Sequence, residues 1–237
     1  PRFMNNFAYQ STQIFFTMYA RDLITEEIPP LRHTDIGETA LRWMDEFKVS
    51  HLPVLKDENF VGVVSEVDIL DRIDVNETLD KLFEHLPRPY VLDDAHIYEV
   101  LYTVAKQNIT VVPILDKEEN YLGCTSVFHL MQLIANTGSI TEQGGILVLS
   151  VNRVDYSLAQ IAQIVESNDA KILSSFITSL PDSTKIDVTI KINQIELDRI
   201  IRTFERYDYT ISATFQKSLF EDDTKLRYEA LMNYLNL

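Results

Sequence analysis

Internal duplication constrains this chain more than any other feature of its sequence. A segment of just under fifty residues occurs twice, over residues 28–73 and again over residues 88–134, with the copies spaced about sixty positions apart. Pro53 and Pro113 lie 60 positions apart in equivalent apolar segments, and a matched pair of glycines lies 61 positions apart. Repeats of this size are usually one supersecondary unit that buries its apolar face against a twin. Such a pair has an interface, and clefts at interfaces bind small molecules.

Within each copy, the hydrophobic pattern predicts a helix, two strands and a second helix. In the first copy, apolar residues at helical spacing follow residues 35–38, whose Asp-x-x-Glu pattern is typical of a helix start. Buried strands are predicted at Leu52–Leu55 and at Phe60–Ser65, and a helix is predicted over residues 66–73. The second copy repeats this order after a connector, residues 74–88, which we expect to be helical in its middle and to end at two prolines.

The second half of the chain has a different pattern. Three of the six glycines fall in or next to residues 137–144, where we place a linker. Strand and helix signals then follow over residues 145–217 in the order βαββαβ, the ferredoxin-like split βαβ arrangement. Asn193 and Glu196 are predicted to cap the second helix of this domain, and residues 180–183 are predicted to form a hairpin turn.

Composition argues against several classes of function. The formal net charge of −15 argues against nucleic acid binding, which needs a basic stripe, and against binding to anionic membranes. No apolar run approaches the roughly 18 residues that a membrane-spanning helix needs. Cys124 is the single cysteine, so an internal disulfide is excluded and a reducing, cytoplasmic compartment is expected.

Motif searches predict neither catalysis nor a metal site. The sequence has no phosphate-binding loop, no dinucleotide-binding fingerprint and no metal-ligand spacing among its five histidines. We therefore expect that the protein is not an enzyme. Residues 1–17 are interpreted as an N-terminal extension without a signal-peptide pattern. Residues 218–237, which contain an acidic run, are predicted to form a C-terminal helical tail.

The duplicated segment resembles a pair of CBS motifs, the arrangement called a Bateman module. The resemblance is carried by residues 21–25 (Arg-Asp-Leu-Ile-Thr), by the two proline-containing strands and by the two glycine-containing segments after them. It covers residues 18–136, divided into a first motif (18–74) and a second motif (82–136). Residues 145–217 resemble an ACT domain in their element order. The expected fold class is α+β: a tandem CBS pair, a ferredoxin-like βαββαβ (ACT-like) domain and a C-terminal helix.

This combination is similar to the CBS–ACT regulatory proteins of acetoin utilisation. The resemblance implies a non-catalytic regulator that binds an adenosine-containing ligand: AMP, ADP, ATP or S-adenosylmethionine. It also implies a homodimer, and a protein target that the sequence does not reveal. An alternative is an amino-acid sensor that works through residues 145–217, with the CBS pair in a structural role. The first strand–helix corner of that domain, residues 152–156, lacks the glycine typical of amino-acid-binding ACT domains, which favours subunit pairing instead.

Ser65 and Asp68 are the leading candidates for a binding site. A strand that ends at Ser65 and a helix that begins there would direct backbone N–H groups and a hydroxyl outward, toward phosphate or other anionic oxygens. Asp68 lies one turn into the helix and offers acceptors suited to the 2′,3′-diol of a ribose. The same four residues also fit a Ser-x-x-Asp capping box. Ligand binding and helix capping are therefore alternatives that can coexist.

The resemblance implies further contacts around this pair. Thr25, Ile28 and Pro53 would enclose the adenine, with the backbone of Val63 at its edge. Ser50 occupies a position that can be Arg or Lys in phosphate-binding members, and His51 is adjacent to it. Because this position supplies no fixed positive charge, S-adenosylmethionine is considered beside the nucleotides.

The second copy departs from the pattern at one position. Ser126 keeps the hydroxyl, but His129 replaces the expected aspartate. A neutral imidazole has one donor and one acceptor and cannot hold a diol as a carboxylate does. An empty cleft, a different ligand and a pH-sensitive contact all remain open, and the empty cleft is favoured.

Overall fold

A computed structural model of the chain describes residues 18–179, 183–216 and 232. The predictions for residues 1–17, for the C-terminal helical tail except Met232, and for the hairpin turn except Ser183 therefore lie outside the described residues. The chain divides into two compact units between Leu133 and Ile134. Each unit is described separately below.

The first unit contains two repeats with the same order of elements. The elements of the first repeat are a 3₁₀ helix (Ala20–Leu23), β1 (Leu31–Arg32), α1 (Gly37–Phe47), β2 (His51–Lys56), β3 (Asn59–Ser65) and α2 (Glu66–Arg72). Those of the second repeat are a 3₁₀ helix (Leu79–His85), β4 (Val91–Leu92), α3 (Ile97–Gln107), β5 (Val111–Leu115), β6 (Tyr121–Ser126) and α4 (Val127–Ala135). The order predicted for each copy is confirmed, as is the helical middle of the connector.

Each repeat forms its own three-stranded sheet with the same topology. β1 runs parallel to β2, which pairs with β3 in an antiparallel hairpin. β4, β5 and β6 repeat this arrangement. The register shifts at equivalent places, between Val54 and Leu55 in the first hairpin and between Ile114 and Leu115 in the second. β5 is buried along its whole length, and β2 is buried at its centre, over Leu52, Pro53 and Val54, as expected for short strands inside a packed pair.

The two matched glycines allow another segment to pass directly over each hairpin. A Cβ placed on Gly62 would lie 2.7 Å from the carbonyl oxygen of Pro87. A Cβ placed on Gly123 would lie 2.5 Å from the side chain of Ile24, and Gly123 also has a φ of +155°. A side chain at either position would collide with the crossing segment. The glycine pair of the sequence repeat therefore marks where each connecting segment approaches a strand.

In its described residues, the second unit contains a four-stranded antiparallel sheet, two longer helices and one short helix. Its elements are α5 (Gly138–Thr141), β7 (Gly145–Asn152), α6 (Leu158–Glu166), β8 (Ile172–Ser179), β9 (Lys185–Ile192), α7 (Asp198–Arg206) and β10 (Thr210–Phe215). The strand order is β10-β7-β9-β8, which is the ferredoxin-like arrangement predicted from the sequence. The predicted linker contains one short helix, α5.

The core of the second unit follows the alternation of β9. Ile186, Val188, Ile190 and Ile192 are buried, and the residues between them are half-buried on the other face. The buried set packs against apolar residues of α6 and α7, including Phe204. A period of two along a strand places alternate side chains on one face, so this burial was readable from the sequence.

Two predicted helix caps are wrong. α1 begins at Gly37 after Ile36, and no side chain caps it. The Asp35 carboxylate instead accepts a hydrogen bond from the backbone N–H of Arg32, at 2.7 Å. Similarly, Asn193 and Glu196 do not cap α7, because the Asn193 side-chain oxygen accepts from the N–H of Lys171, also at 2.7 Å. Short polar side chains can bond many nearby backbone groups, and these two bond backbone N–H groups outside the helix starts.

Candidate functional site

Ser65 and Asp68 form a complete capping box at the start of α2. The Ser65 hydroxyl oxygen accepts a hydrogen bond from the Asp68 N–H at 3.1 Å, and the Ser65 N–H donates to the Asp68 carboxylate at 3.2 Å. The Ser65 O–H also donates to this carboxylate, at 2.6 Å. The capping alternative raised by the sequence is therefore present in the structure. It satisfies backbone groups that a helix start would otherwise leave unbonded.

The other oxygen of the Asp68 carboxylate faces a cation. Arg72 Nε lies 3.3 Å from Asp68 Oδ1, one turn further along α2. The Arg72 side chain is 48% exposed, whereas the Asp68 side chain is only 17% exposed. Asp68 is thus a largely buried carboxylate whose outer oxygen is covered by a solvent-exposed guanidinium.

The backbone N–H groups at this helix start are mostly used within the protein. The N–H of Ser65 bonds to Asp68, the N–H of Asp68 bonds to Ser65, and the N–H of Glu66 donates to the carbonyl oxygen of Ser50 at 3.2 Å. The expectation that these groups point outward toward an anion is therefore not met for these three donors. The acceptors of these three donors are the Asp68 carboxylate, the Ser65 hydroxyl and the carbonyl oxygen of Ser50.

Ser50 and His51 lie at the junction between the two repeats. The Ser50 N–H donates to the Thr110 hydroxyl at 2.9 Å, and the Thr110 N–H donates to His51 Nδ1 at 3.3 Å. The Thr110 hydroxyl is also 3.2 Å from His51 Nδ1. Burial lowers the pKa of His51, although the nearby Asp68 carboxylate acts in the opposite direction. A neutral ring that accepts at Nδ1 ties the first repeat to the second.

Thr25 and Ile28 lie beside the second repeat. The Thr25 N–H donates to the carbonyl oxygen of Cys124 in β6 at 2.9 Å. The thiol of Cys124 is 3.5 Å from the carbonyl oxygen of Ile28, whose side chain is buried in the core. These two residues therefore accompany β6, the strand that leads to Ser126.

Pro53 and Val63 lie opposite each other in the first hairpin. They are register partners in β2 and β3, and both are buried. The N–H of Val63 donates to the carbonyl oxygen of Pro87 at 2.9 Å. The Val63 N–H is thus bonded to the connector. The contacts of Thr25, Ile28 and the Val63 backbone with an adenine stay a prediction.

The second repeat reproduces half of the capping box. The Ser126 hydroxyl oxygen accepts from the His129 N–H at 3.1 Å, as Ser65 does for Asp68. Ser126 is buried and His129 is partly buried. Without a carboxylate in this position, the reciprocal bond from side chain to backbone is not recorded among the described residues. A serine hydroxyl at the equivalent position therefore caps the helix in each repeat. Only in the first repeat does a carboxylate, that of Asp68, bond back to the serine.

The cavities in the described part of the chain include three that are lined by neither Ser65 nor Asp68. One of about 1210 Å³ lies at the hairpin ends of the first unit, between residues 29–35 and the two hairpin turns. One of about 400 Å³ lies between α1 and α2 and includes Ser50. One of about 670 Å³ belongs to the second unit. The sequence analysis predicted none of them.

The cavity of the second unit lies away from the corner considered for amino-acid binding. It is lined by residues next to the start of β7 and the start of α7, including Gln143 and Arg199. The corner at residues 152–156 lies at the other end of β7 and is closed by a hydrogen bond from Asn152 to Asp155 at 3.1 Å. Among the described residues, no group of three or more His, Cys, Asp or Glu side chains could hold a metal ion.

Sequence reasoning missed three residues of this region. Thr110 bonds Ser50 and His51, Arg72 covers Asp68, and Pro87 occupies the edge of β3. The spacing of four between an aspartate and an arginine on a predicted helix was a signal for the Arg72 contact. The other two contacts join residues far apart in the chain and leave no local pattern.

Comparisons with known proteins match the first repeat to a family. Residues 20–75 match the family model of the CBS domain. Similar solved structures include a CBS domain pair/ACT domain protein from Thermotoga maritima, with 21% identity and a TM-score of 0.43 over 49% of this chain and 96% of that chain. Another, described as an acetoin utilization protein from Vibrio cholerae, has 19% identity and a TM-score of 0.44 over 50% and 90%. A third, CBSX2 in complex with AMP, has 20% identity and a TM-score of 0.42 over 49% and 95%.

Proposed function

We propose that this chain, which carries a CBS domain over residues 20–75, is a regulatory protein that binds an adenine nucleotide beside Ser65 and Asp68. The observation that supports this most is the Asp68 carboxylate, which stands at the strand-to-helix junction with its side chain 17% exposed. A mostly desolvated carboxylate forms strong hydrogen bonds to hydroxyl donors such as those of a ribose. Binding would act by favouring one arrangement of the domains or subunits, through a difference in affinity between the arrangements.

Recognition, rather than catalysis, fits the chemistry of this pair. The Ser65 proton is directed at Asp68, and the Ser65 oxygen accepts from the helix backbone. Both groups therefore hold α2 in place. Their arrangement provides acceptors for a ligand and a rigid helix start to carry the effect of binding to the rest of the unit.

Among adenosine-containing ligands, AMP, ADP and ATP are proposed and S-adenosylmethionine is not. Arg72 lies next to Asp68 and would repel the sulfonium while attracting a phosphate. S-adenosylmethionine is kept as a comparison ligand in the binding experiment.

A homodimer is part of the proposal. α2 and α4 expose large apolar side chains on the first unit: Val67, Leu70, Phe128 and Met131, each more than half exposed. Large apolar side chains that remain exposed to solvent in this way are consistent with a protein–protein contact. Native mass spectrometry of protein isolated from cells would report the subunit count and any retained ligand together. A monomer at micromolar concentration would contradict this part.

Calorimetric titration of Asp68 variants tests the ligand site. Asp68→Ala is expected to weaken AMP binding by about 10- to 150-fold, the loss of hydrogen bonds to a charged acceptor worth about 1.5–3 kcal/mol. Asp68→Asn keeps a cap acceptor but lacks the charge, so it should weaken binding while preserving more of the stability. His129→Ala, at the equivalent position of the second repeat, is the matched control and should leave AMP binding unchanged.

Two results would change the assignment. If Asp68→Ala lowers the melting temperature and leaves nucleotide affinity unchanged, Asp68 only caps α2. If thermal unfolding is shifted by amino acids and not by nucleotides, the sensor acts through residues 145–217 and the CBS pair has a structural role.

A further inference from the structure

The Asp68 carboxylate is already nearly saturated with hydrogen-bond donors. Its Oδ2 atom accepts from the N–H and from the O–H of Ser65, and its Oδ1 atom faces Arg72 Nε. A carboxylate has about four lone-pair sites, two on each oxygen. Three of the four are therefore engaged before any ligand arrives.

A ribose diol brings two O–H donors and needs two of these sites. One of the three existing contacts must therefore be released when the diol binds in a bidentate manner. The two Ser65 contacts are partly buried and complete the cap of α2. The Arg72 contact is an i,i+4 pair with a guanidinium that is 48% exposed, and exposed pairs of this kind are the weakest of the three. Arg72 is the group that is displaced most easily.

A phosphate on the ligand needs positive charge that the helix start does not provide. The N–H groups of Ser65, Glu66 and Asp68 are bonded within the protein. His51 accepts a hydrogen bond at Nδ1, and its burial lowers its pKa, so the ring is neutral. Arg72 supplies a guanidinium group 3.3 Å from Asp68 Oδ1.

Three other arginines of the first unit have different surroundings. Arg21 pairs with Asp93, 3.8 Å away, and Arg88 pairs with Glu119, 3.2 Å away. Arg32 lines the cavity at the hairpin ends, at the opposite end of β3 from Ser65. Arg72 is thus the cation that contacts the proposed ribose-binding carboxylate.

We propose that the ribose of the nucleotide displaces Arg72 from Asp68, and that the released guanidinium then binds the phosphate. This proposal rests on the proposed function, because it assigns a further residue to the same site. Arg72 would make the site prefer nucleotides to nucleosides. Adenosine must break the ion pair between Asp68 and Arg72 and forms no other, whereas AMP breaks it and forms a new ion pair between its phosphate and Arg72. A guanidinium is well suited to this exchange, since carboxylate and phosphate accept the same fork of N–H donors.

Titration calorimetry with adenosine and AMP tests the proposal on the full chain. In Arg72→Gln, the ratio of AMP affinity to adenosine affinity should fall by about tenfold or more, as expected for one lost charge-assisted contact. Adenosine should bind as tightly as to the unmodified protein or slightly more tightly, because Asp68 is no longer covered. Arg72→Lys should retain part of the preference for AMP, since the charge is kept and the fork geometry is lost.

Arg42→Gln is the matched control. Arg42 is exposed on α1, so this variant makes the same change in net charge at another surface position. Its affinity ratio should stay at the value of the unmodified protein. An unchanged ratio in Arg72→Gln, with both ligands still bound, overturns the role of Arg72 and leaves the nucleotide site standing. If the unmodified protein binds neither adenosine nor AMP, the proposed function itself fails, and this inference fails with it.

Discussion

Thr125 marks a difference between the buried positions of the two repeats, and substitution there tests what that difference costs in stability. It is fully buried in β6, and its hydroxyl has no hydrogen-bond partner among the described residues. The equivalent position of the first repeat is Val64, which is also fully buried and packs in an apolar cluster. The first repeat thus buries a methyl group of Val64 at the position where the second repeat buries the hydroxyl of Thr125, which has no partner among the described residues.

Thr125→Val should stabilise the protein. A buried hydroxyl without a partner costs about 1–3 kcal/mol of desolvation, and valine replaces it with a methyl group of similar size. We expect a gain of about 1–2 kcal/mol in the free energy of unfolding, or a rise in melting temperature of about 2–4 °C for each kcal/mol. The reciprocal change, Val64→Thr, should cost a similar amount, because it buries a hydroxyl in the apolar cluster.

Urea unfolding followed by tryptophan fluorescence measures both variants. Trp43 is the single tryptophan and packs against the apolar cluster of the first unit, so it reports on the unit that contains both substitutions. The midpoint should rise for Thr125→Val and fall for Val64→Thr, with an unchanged slope for each. A loss of stability in Thr125→Val would refute the reasoning, because the hydroxyl would then have a partner such as a bound water. A neutral Val64→Thr would refute the desolvation argument itself.

Three further outcomes follow from the contacts of the first unit. Gly62→Ala should cost about 1–3 kcal/mol in urea unfolding, because its Cβ would lie 2.7 Å from the carbonyl oxygen of Pro87. Because burial lowers the pKa of His51 below its ordinary value of 6.5, the unfolded chain takes up a proton first. Stability due to this group should therefore be complete above pH 6.5 and fall as the pH drops below it, and His51→Gln should remove that slope. Burial raises the pKa of Cys124 to about 11, so a thiol reagent at pH 8 should react with it only after unfolding, and rapid labelling of the folded protein would contradict this.

The duplication let the sequence predict more of this fold than local pattern alone would allow. The hairpin of β2 and β3 was predicted from one short apolar run and one glycine-containing run. Each is ambiguous by itself, since a short apolar segment fits a strand or a buried helix. The second copy repeats the same order, with prolines 60 positions apart, and the interpretation as a strand hairpin was consistent with both copies. The alternation of β9 was sufficient without any repeat, because strict period-two spacing has one structural solution.

The candidate site was predicted in part. Ser65 and Asp68 meet at the predicted junction, since three positions on a helix start bring a hydroxyl and a carboxylate together locally. The resemblance assigned Thr25 to an adenine contact, which stays a prediction, and no local pattern indicated that its N–H bonds to Cys124, 99 positions further along the chain. β3 and β6 have the same sequence pattern. The pattern therefore does not tell which of the two a connecting segment joins, because that depends on how the repeats pack.

The sequence by itself determined the two kinds of unit, the order of their elements and the junction that brings Ser65 to Asp68, because periodicity and capping act over a few residues. Only the tertiary structure decided which distant groups bond near that junction: the Ser50 carbonyl oxygen accepts from the N–H of Glu66, and Thr110 bonds the ring of His51. Hydrogen-bonding groups have several partners within reach, and folding selects among them by geometry and by the cost of leaving a buried group unpaired.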